Sequence, residues 1–278
     1  MLNPYKNILK ILLNIFRNQR WHIQYRIKSR QYKQRIKIGQ RKPIEFEALG
    51  NILIIVPHAD DELIGNYQLL KYAGNRLYVY HIGNYKKENQ LLINARNEEL
   101  RKLCKQYGAH LFNHADSPYC QDIIKILSEY SINTIFTPDL FDWHIDHQDA
   151  TKYLIESLDL YKWDGEIFTY SISVPKSYVC SSYFIPYSKN EQKEKWLLFK
   201  QFYPSQNFMP VKRFIYHERL NAIGIDRAYS ADLYSRVTLS QLKKLQSSAP
   251  NERMRDIINS NLNNIVSIRE LSDNKSYK

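Results

Sequence analysis

Residues 52–62 read Ile52-Leu-Ile-Ile-Val-Pro-His-Ala-Asp-Asp-Glu62. The apolar run Ile52 to Val56 ends abruptly in Pro57, followed by His58, Asp60, Asp61 and Glu62. A short β-rich apolar run closed by turn signals predicts a strand. The run is apolar without alternation, which predicts a strand buried on both faces, as parallel strands are. Open α/β sheets bind their ligands beyond the carboxyl ends of the strands, so the polar cluster falls where such folds keep their chemistry. The competing local reading makes Asp60 or Asp61 the cap of the next helix, with acids in its first turn.

A second cluster shifts the balance. The apolar stretch Thr134 to Phe136 runs into Thr137, Pro138 and Asp139, and then into His144-Ile-Asp146-His147. Two strands therefore end in His and Asp, and adjacent parallel strands would bring the two ends together. Imidazole and carboxylate are zinc donors, and catalytic zinc usually takes three protein ligands and keeps one position open. His58, Asp61 and His147 supply such a set.

Outward from these two strands the pattern alternates. Strands are predicted at 51–56, 76–82, 109–113, 133–137 and 166–173, with helices at 62–73, 89–107, 120–130 and 148–160. That alternation predicts an α/β fold with a mostly parallel sheet and helices on both faces. Beyond Val174 the strand signal weakens, and helices are predicted at 189–202, 210–222, 238–247 and 251–264. The polar tail after Leu271 is expected to fray.

The motifs carry a family resemblance. Pro57-His-Ala-Asp-Asp-Glu62 resembles the Pro-His-Pro-Asp-Asp-Glu motif of the PIG-L/LmbE-like zinc N-deacetylases, and His144-Ile-Asp-His147 resembles their His-Pro-Asp-His. Lys195 with Tyr203-Pro-Ser-Gln206, and Ala231-Asp-Leu-Tyr234, resemble later segments of that family and are expected to wall the pocket. The resemblance implies a Rossmann-like three-layer sandwich over residues 48–235, flanked by a basic arm (1–47) and a C-terminal helical extension (236–278).

It also implies a reaction: hydrolysis of the N-acetyl group of an amino sugar or glycoconjugate, in glycan, lipid-linked sugar or thiol-cofactor biosynthesis. The cofactor is Zn2+, with another divalent metal such as Fe2+ as the alternative. Asp60, beside the ligand Asp61 but not itself a ligand, is the candidate general base. His144 is expected to act as an imidazolium that stabilises the oxyanion or donates a proton, and Asp146 to orient a histidine by accepting its second N–H. Glu62 is expected to brace the loop.

Arg96, in Arg-Asn-Glu-Glu99, and Asp116 are candidate sugar contacts. Their bland readings are an i,i+3 surface pair with Glu99 and a simple turn residue. His22, His81, His110, His114 and His217 are read as surface or core histidines rather than ligands. Departures from the family pattern are Ala59 and Ile145 in place of proline, and bulky Asn66, Tyr67 and Gln68 where small residues are typical. Bulky groups here are expected to narrow or reshape the pocket, and Tyr67 and Gln68 are the support for a second reading, a catalytically altered member used as a binding or membrane-associated assembly module.

Charge is segregated. Residues 1–44 hold twelve Lys or Arg and no Asp or Glu; of the chain's 40 basic residues 28 remain, against 28 acidic ones. The arm is read as an amphipathic helix over 5–19, a strand over 21–28 from the alternation of Trp21, Ile23, Tyr25 and Ile27, and a second strand near 35–38. It either packs on the core or lies on an anionic membrane surface. Nucleic-acid binding is disfavoured because no recognised motif accompanies the charge. Three widely spaced cysteines, Cys104, Cys120 and Cys180, fit neither a disulfide framework nor a cysteine metal site. A cytoplasmic setting follows, peripheral to the inner membrane face if the arm binds lipid.

Overall fold

The computed structural model describes residues 4–35, 41–83, 89–114 and 117–275. In chain order the elements are α1 (Pro4–Arg35), β1 (Lys42–Pro43), β2 (Ile52–Val56), α2 (Asp61–Ala73), β3 (Leu77–His81), α3 (Gln90–Tyr107), β4 (His110–Asn113), α4 (Tyr119–Glu129), β5 (Thr134–Pro138) and α5 (Ile145–Leu160). They continue as β6 (Glu166–Tyr170), β7 (Tyr183–Tyr187), α6 (Lys189–Phe202), α7 (Val211–Asn221), β8 (Ser230–Val237), α8 (Leu239–Ser247), α9 (Glu252–Asn261) and α10 (Ile265–Lys275).

The strands form one sheet in the order β1-β7-β8-β6-β5-β2-β3-β4. β2 is parallel to both β3 and β5, β3 to β4, and β5 to β6, whereas β8 runs antiparallel to β6 and β7. Strand β2 shows why its sequence lacks alternation. Ile52, Ile54 and Val56 enter the core on one face of the sheet, with α2, α3 and α6. Leu53 and Ile55 enter the core on the other face, with α4 and α5. Successive side chains point to opposite faces, and both faces are covered, so every position is apolar. This is the three-layer α/β fold.

Strand order reverses at β2. From it the chain steps outward through β3 and β4 on one side, then returns to β5 and β6 on the other. A crevice at such a switch point, beyond the strand ends, is the preferred ligand site of open α/β sheets. The loops after β2 and β5 therefore meet.

Helix α2 kinks at Asn66, whose φ of −143° and ψ of 30° are not helical. Carbonyls loosened there find side-chain donors: Lys195 Nζ donates to Ile64 O at 2.7 Å and Tyr234 Oη to Gly65 O at 3.0 Å. Gly65 lets the kinked helix press on β6, since a Cβ there would lie 2.4 Å from the Tyr170 ring.

Two expectations are corrected. The stretch 21–28 is helix, continuous with the rest of α1. Its alternation contained a helical stripe: Trp21 and Tyr32 pack with Leu220, Leu233 and Ile265, with Tyr25 beside them, while Ile23 and Ile27 stay exposed. The spacing of Trp21, Tyr25, Lys28 and Tyr32 is that of one helix face. Of the second strand expected near 35–38, Arg35 is the last residue of the helix and 36–38 lie outside the described residues. The tail does not fray at Leu271 either. α10 runs to Lys275; Asp273 accepts from Tyr32 Oη and from the Tyr178 N–H, both at 2.7 Å, and Ser272 Oγ donates to Pro175 O at 2.6 Å.

Candidate active site

The loop after β2 is built on an unusual residue. Asp60 has φ 122°, a conformation L residues rarely adopt. It is held there by Glu62, whose Oε2 accepts the Asp60 N–H at 3.1 Å while Oε1 accepts Tyr203 Oη. Backbone strain of this kind persists only where the surroundings over-determine it, and it collects at functional sites. The Asp60 carbonyl then starts α2, accepting from Leu63 N and Ile64 N. Asp61 folds back across the loop, its Oδ2 accepting the His58 N–H at 2.9 Å.

The loop after β5 is fixed by its own acids. Asp139 Oδ1 accepts the Phe141 N–H at 2.9 Å, and Asp142 Oδ1 accepts the His144 N–H at 3.0 Å. His144 caps α5, its Nδ1 accepting the Asp146 N–H at 3.3 Å. Thr151 Oγ1 donates to Pro138 O at 2.7 Å, which pins the first turns of α5 to the end of β5.

These loops bring the two motifs together. Asp61 Oδ2 lies 3.5 Å from His58 Nδ1 and 3.6 Å from His147 Nε2. Donor atoms of His58, His144 and His147 fall within 4.8 Å of one another. The outward nitrogens are tied down by acids: His58 Nε2 is 3.0 Å from Asp146 Oδ2, and His147 Nδ1 is 3.0 Å from Asp142 Oδ2. The chain segment 58–61 supplies one side of the cluster and 142–147 the other.

The donor set fits a divalent cation. Bonds of about 2.0–2.2 Å put two corners of a tetrahedron roughly 3.4 Å apart. The two Asp61 separations, 3.5 and 3.6 Å, match that edge. A carboxylate hydrogen-bonded to the far nitrogen of a histidine is the usual support of such a ligand; His58 has one in Asp146, while Asp142 sits close to His147 Nδ1 without the alignment of a hydrogen bond. His144 makes the third imidazole of the cluster, so a second set, His58, His144 and His147, is also within reach.

Local charge follows from burial and neighbours. Burial works to lower the His58 pKa, but hydrogen bonds and charge from Asp146 and Asp61 outweigh it and hold the ring up to about 10. The site thus favours a positive charge at its centre. Burial works to raise Asp61, and His147 and His58 overcome it, leaving its carboxyl below the usual range. Asp60 goes the other way: burial first, then Asp61 and Glu62, push it well above the usual carboxylate range. His144 is lowered to about 4 by burial and then by His147 and His58. The imidazolium expected for it is therefore not the favoured form. With Nδ1 accepting from the Asp146 N–H, the neutral ring carries its proton on Nε2.

Other predicted residues divide. Glu62 braces the loop, and burial raises its pKa to about 7. Arg96 and Glu99 are both buried, so they are not a surface pair. Glu99 instead accepts from Ser205 N at 3.1 Å and Ser205 Oγ at 2.5 Å, while Arg96 is close enough for its charge to lower Asp60. Asp116 lies outside the described residues. Lys195 joins Glu218, at 2.8 Å, and Asp232, at 3.5 Å, in a buried network.

Tyr67 and Gln68 do not crowd the histidines. Tyr67 stacks on Tyr187 with ring centres 6.0 Å apart, and Gln68 donates to Glu191 at 3.2 Å. The expected narrowing of the pocket by these two side chains is not what the packing gives. A cavity of about 470 Å³ bounded by Leu140, Phe141, Val174, Lys176, Leu245 and Pro250 lies beside the β5–α5 loop, and none of the three clustered histidines lines it. Asp142 was missed in the sequence. Its signal was its place two residues before His144, where an acid could turn the loop and still reach the next helix.

No family model matches the chain, and no curated protein matches it. Solved structures do match in fold. The conserved protein TT1542 from Thermus thermophilus superposes with TM-score 0.54 at 19% identity, covering 68% of this chain and 94% of that one. A zinc-inhibited form of teicoplanin deacetylase Orf2 gives 0.51 at 12% identity, covering 67% and 97%. The A40926 pseudoaglycone deacetylase Dbv21 gives 0.51 at 13% identity, covering 68% and 98%. These neighbours are matched over nearly their whole length by about two thirds of this chain.

Proposed function

We propose that this chain is a PIG-L/LmbE-type, metal-dependent N-deacetylase. Its reaction is hydrolysis of the acetamide of an amino sugar or glycoconjugate, releasing acetate and a free amine. The catalytic unit is taken as residues 48–235. One observation carries the reading most: Asp61 Oδ2 lies at tetrahedral-edge distances from both His58 Nδ1 and His147 Nε2, beside the strained, buried Asp60. Deacetylases among the neighbours of the same fold support the reaction class.

His58, Asp61 and His147 would hold the metal. A divalent ion there supplies Lewis acidity, polarising the acetamide carbonyl and making water a competent nucleophile. Asp60 takes the proton from the attacking water and returns it to the leaving nitrogen as the C–N bond breaks. His144, through Nε2–H, donates a hydrogen bond to the carbonyl oxygen as negative charge grows on it. Asp146 orients His58 through its hydrogen bond to Nε2, and the Asp142 charge beside Nδ1 favours a proton on that side of His147. Arg96 and Asp116 are assigned to the sugar. The setting is cytoplasmic, in line with three free cysteines, and serves glycan, lipid-linked sugar or thiol-cofactor biosynthesis.

One neighbour is described as zinc-inhibited, so the test compares metals. Protein stripped with chelator is reloaded with Zn2+ or Fe2+, and acetate release is followed on N-acetylglucosamine conjugates, nucleotide sugars and lipid-linked sugars. The expected result is turnover on one substrate class that depends on added metal. Failure to bind any divalent ion, or acetate release unaffected by chelator, would sink the proposal.

A further inference from the structure

Helix α1 has two faces. Its 32 residues make a rod about 48 Å long at 1.5 Å per residue. One face is docked: Trp21 Nε1 donates to Asn263 O at 3.0 Å, Lys28 pairs with Glu270 at 3.5 Å, and Tyr32 bonds Asp273. A second face is apolar and bare. Leu9, Leu12, Leu13, Phe16, Ile23 and Ile27 are 45–67% exposed. At about 100° per residue they fall within a stripe roughly 100° wide, centred well away from the Trp21–Lys28–Tyr32 face. Scattered exposed leucines need no explanation, but six large apolar side chains sharing one helix face mark an interaction surface.

The charge on the same helix identifies the partner. Exposed Arg17, Arg26 and Lys33 flank the stripe, Arg30 lies at its edge, and Arg20 lies within it between Phe16 and Ile23; the first 44 residues contain no carboxylate side chain. A second copy of this chain is a poor occupant. Helices that pair through such stripes set opposite charges beside them, whereas two copies of α1 would bring like charges together. A nucleic acid would use the cations and leave the leucines, isoleucines and phenylalanine in water. An anionic bilayer satisfies both, with basic side chains at the headgroups and the apolar stripe at the acyl boundary. Among the described residues no helix is long and apolar enough to cross a membrane, so the helix lies on the surface.

We infer that α1 is a monotopic anchor that seats this protein on anionic lipid through the stripe from Leu9 to Ile27. The buried face ties the anchor to α7 and α10, so the folded domain rides on it rigidly instead of trailing on a tether. Such an anchor does not depend on the proposed chemistry.

The test is co-sedimentation of the full chain with vesicles of phosphatidylglycerol and phosphatidylcholine, or of phosphatidylcholine alone. Binding is expected only to the anionic vesicles and should weaken in 0.5 M salt. The variant Leu12→Glu/Phe16→Glu, altered at exposed positions, should lose about tenfold or more in affinity with its melting curve intact. The control Leu197→Glu, exposed on α6, should bind like the parent chain. Three results would overturn the inference: no binding to anionic vesicles, unchanged binding by the double variant, or a stripe-dependent dimer that excludes vesicles. Binding to single-stranded RNA that the double variant retains, without any vesicle binding, would assign the arm to nucleic acid instead.

Discussion

Asp142 Oδ2 sits 3.0 Å from His147 Nδ1, on the side of the ring away from Asp61, whose Oδ2 is 3.6 Å from Nε2. One carboxylate thus sets its charge against the far side of the ring, without hydrogen-bond alignment, and the other nitrogen faces the cluster. Asp142→Asn keeps the shape and a hydrogen-bond acceptor but removes the charge. Metal affinity, measured by competition with a chelator, should fall about 10- to 100-fold. Unchanged affinity would reduce Asp142 to a loop-turning residue.

Asp60 and Asp61 are adjacent yet point to different tasks. Asp61 spans two histidines, while Asp60 stands at φ 122° without joining them. Asn tolerates positive φ better than most residues, so Asp60→Asn should keep the loop and lose only the base. Metal content should match the parent, and kcat for acetate release should drop about 10²- to 10⁴-fold. Loss of metal along with activity would move Asp60 into the ligand set.

Gly65 tests the seat of α2 on the sheet. An added methyl would meet the Tyr170 ring at 2.4 Å and Ser171 O at 3.2 Å. Tyr170 cannot swing aside freely because its hydroxyl donates to Ile55 O at 2.8 Å. Gly65→Ala should cost about 1–3 kcal/mol in urea unfolding, with metal affinity falling as α2 shifts the loop at its start. A variant as stable as the parent would mean that the helix and ring re-pack without strain.

What could be read from the sequence, and what could not, divides along physical lines. β2 was legible because a strand buried on both faces is apolar throughout, and β5 because its β-branched and aromatic run stops sharply at Pro138. The His–Asp clusters stood out against them. β8 was not legible because its polar residues look like loop: Ser230, Asp232 and Ser235 are buried. Their partners lie far off in the chain. Asp232 meets Lys195 and accepts from Tyr187, and Ser235 Oγ donates to Cys180 O. β7 carries Pro186, which reads against a strand. It is tolerated because β1 reaches only as far as Phe184, leaving β7 an edge at that point. His144 joined the histidine cluster only in three dimensions, since its ring charge depends on His58 and His147 from two loops.

His217 offers a pH test away from the metal cluster. It is buried on α7, where its Nδ1 accepts from Arg269 Nε at 3.2 Å. Burial, then the Arg269 and Arg213 charges, hold its pKa well below the ordinary 6.5. The folded ring is neutral where the unfolded ring takes up a proton. Below about pH 6.5 the unfolded state therefore binds more protons, and stability contributed by the neutral ring is lost as pH falls. The slope from this one group approaches about 1.4 kcal/mol per pH unit. His217→Asn places an amide oxygen near the Nδ1 position and cannot titrate. Urea unfolding of both proteins between pH 7.5 and 5.5 should show the parent losing stability faster than the variant. Parallel curves would mean that Arg269 moves away and lets the ring charge inside the fold.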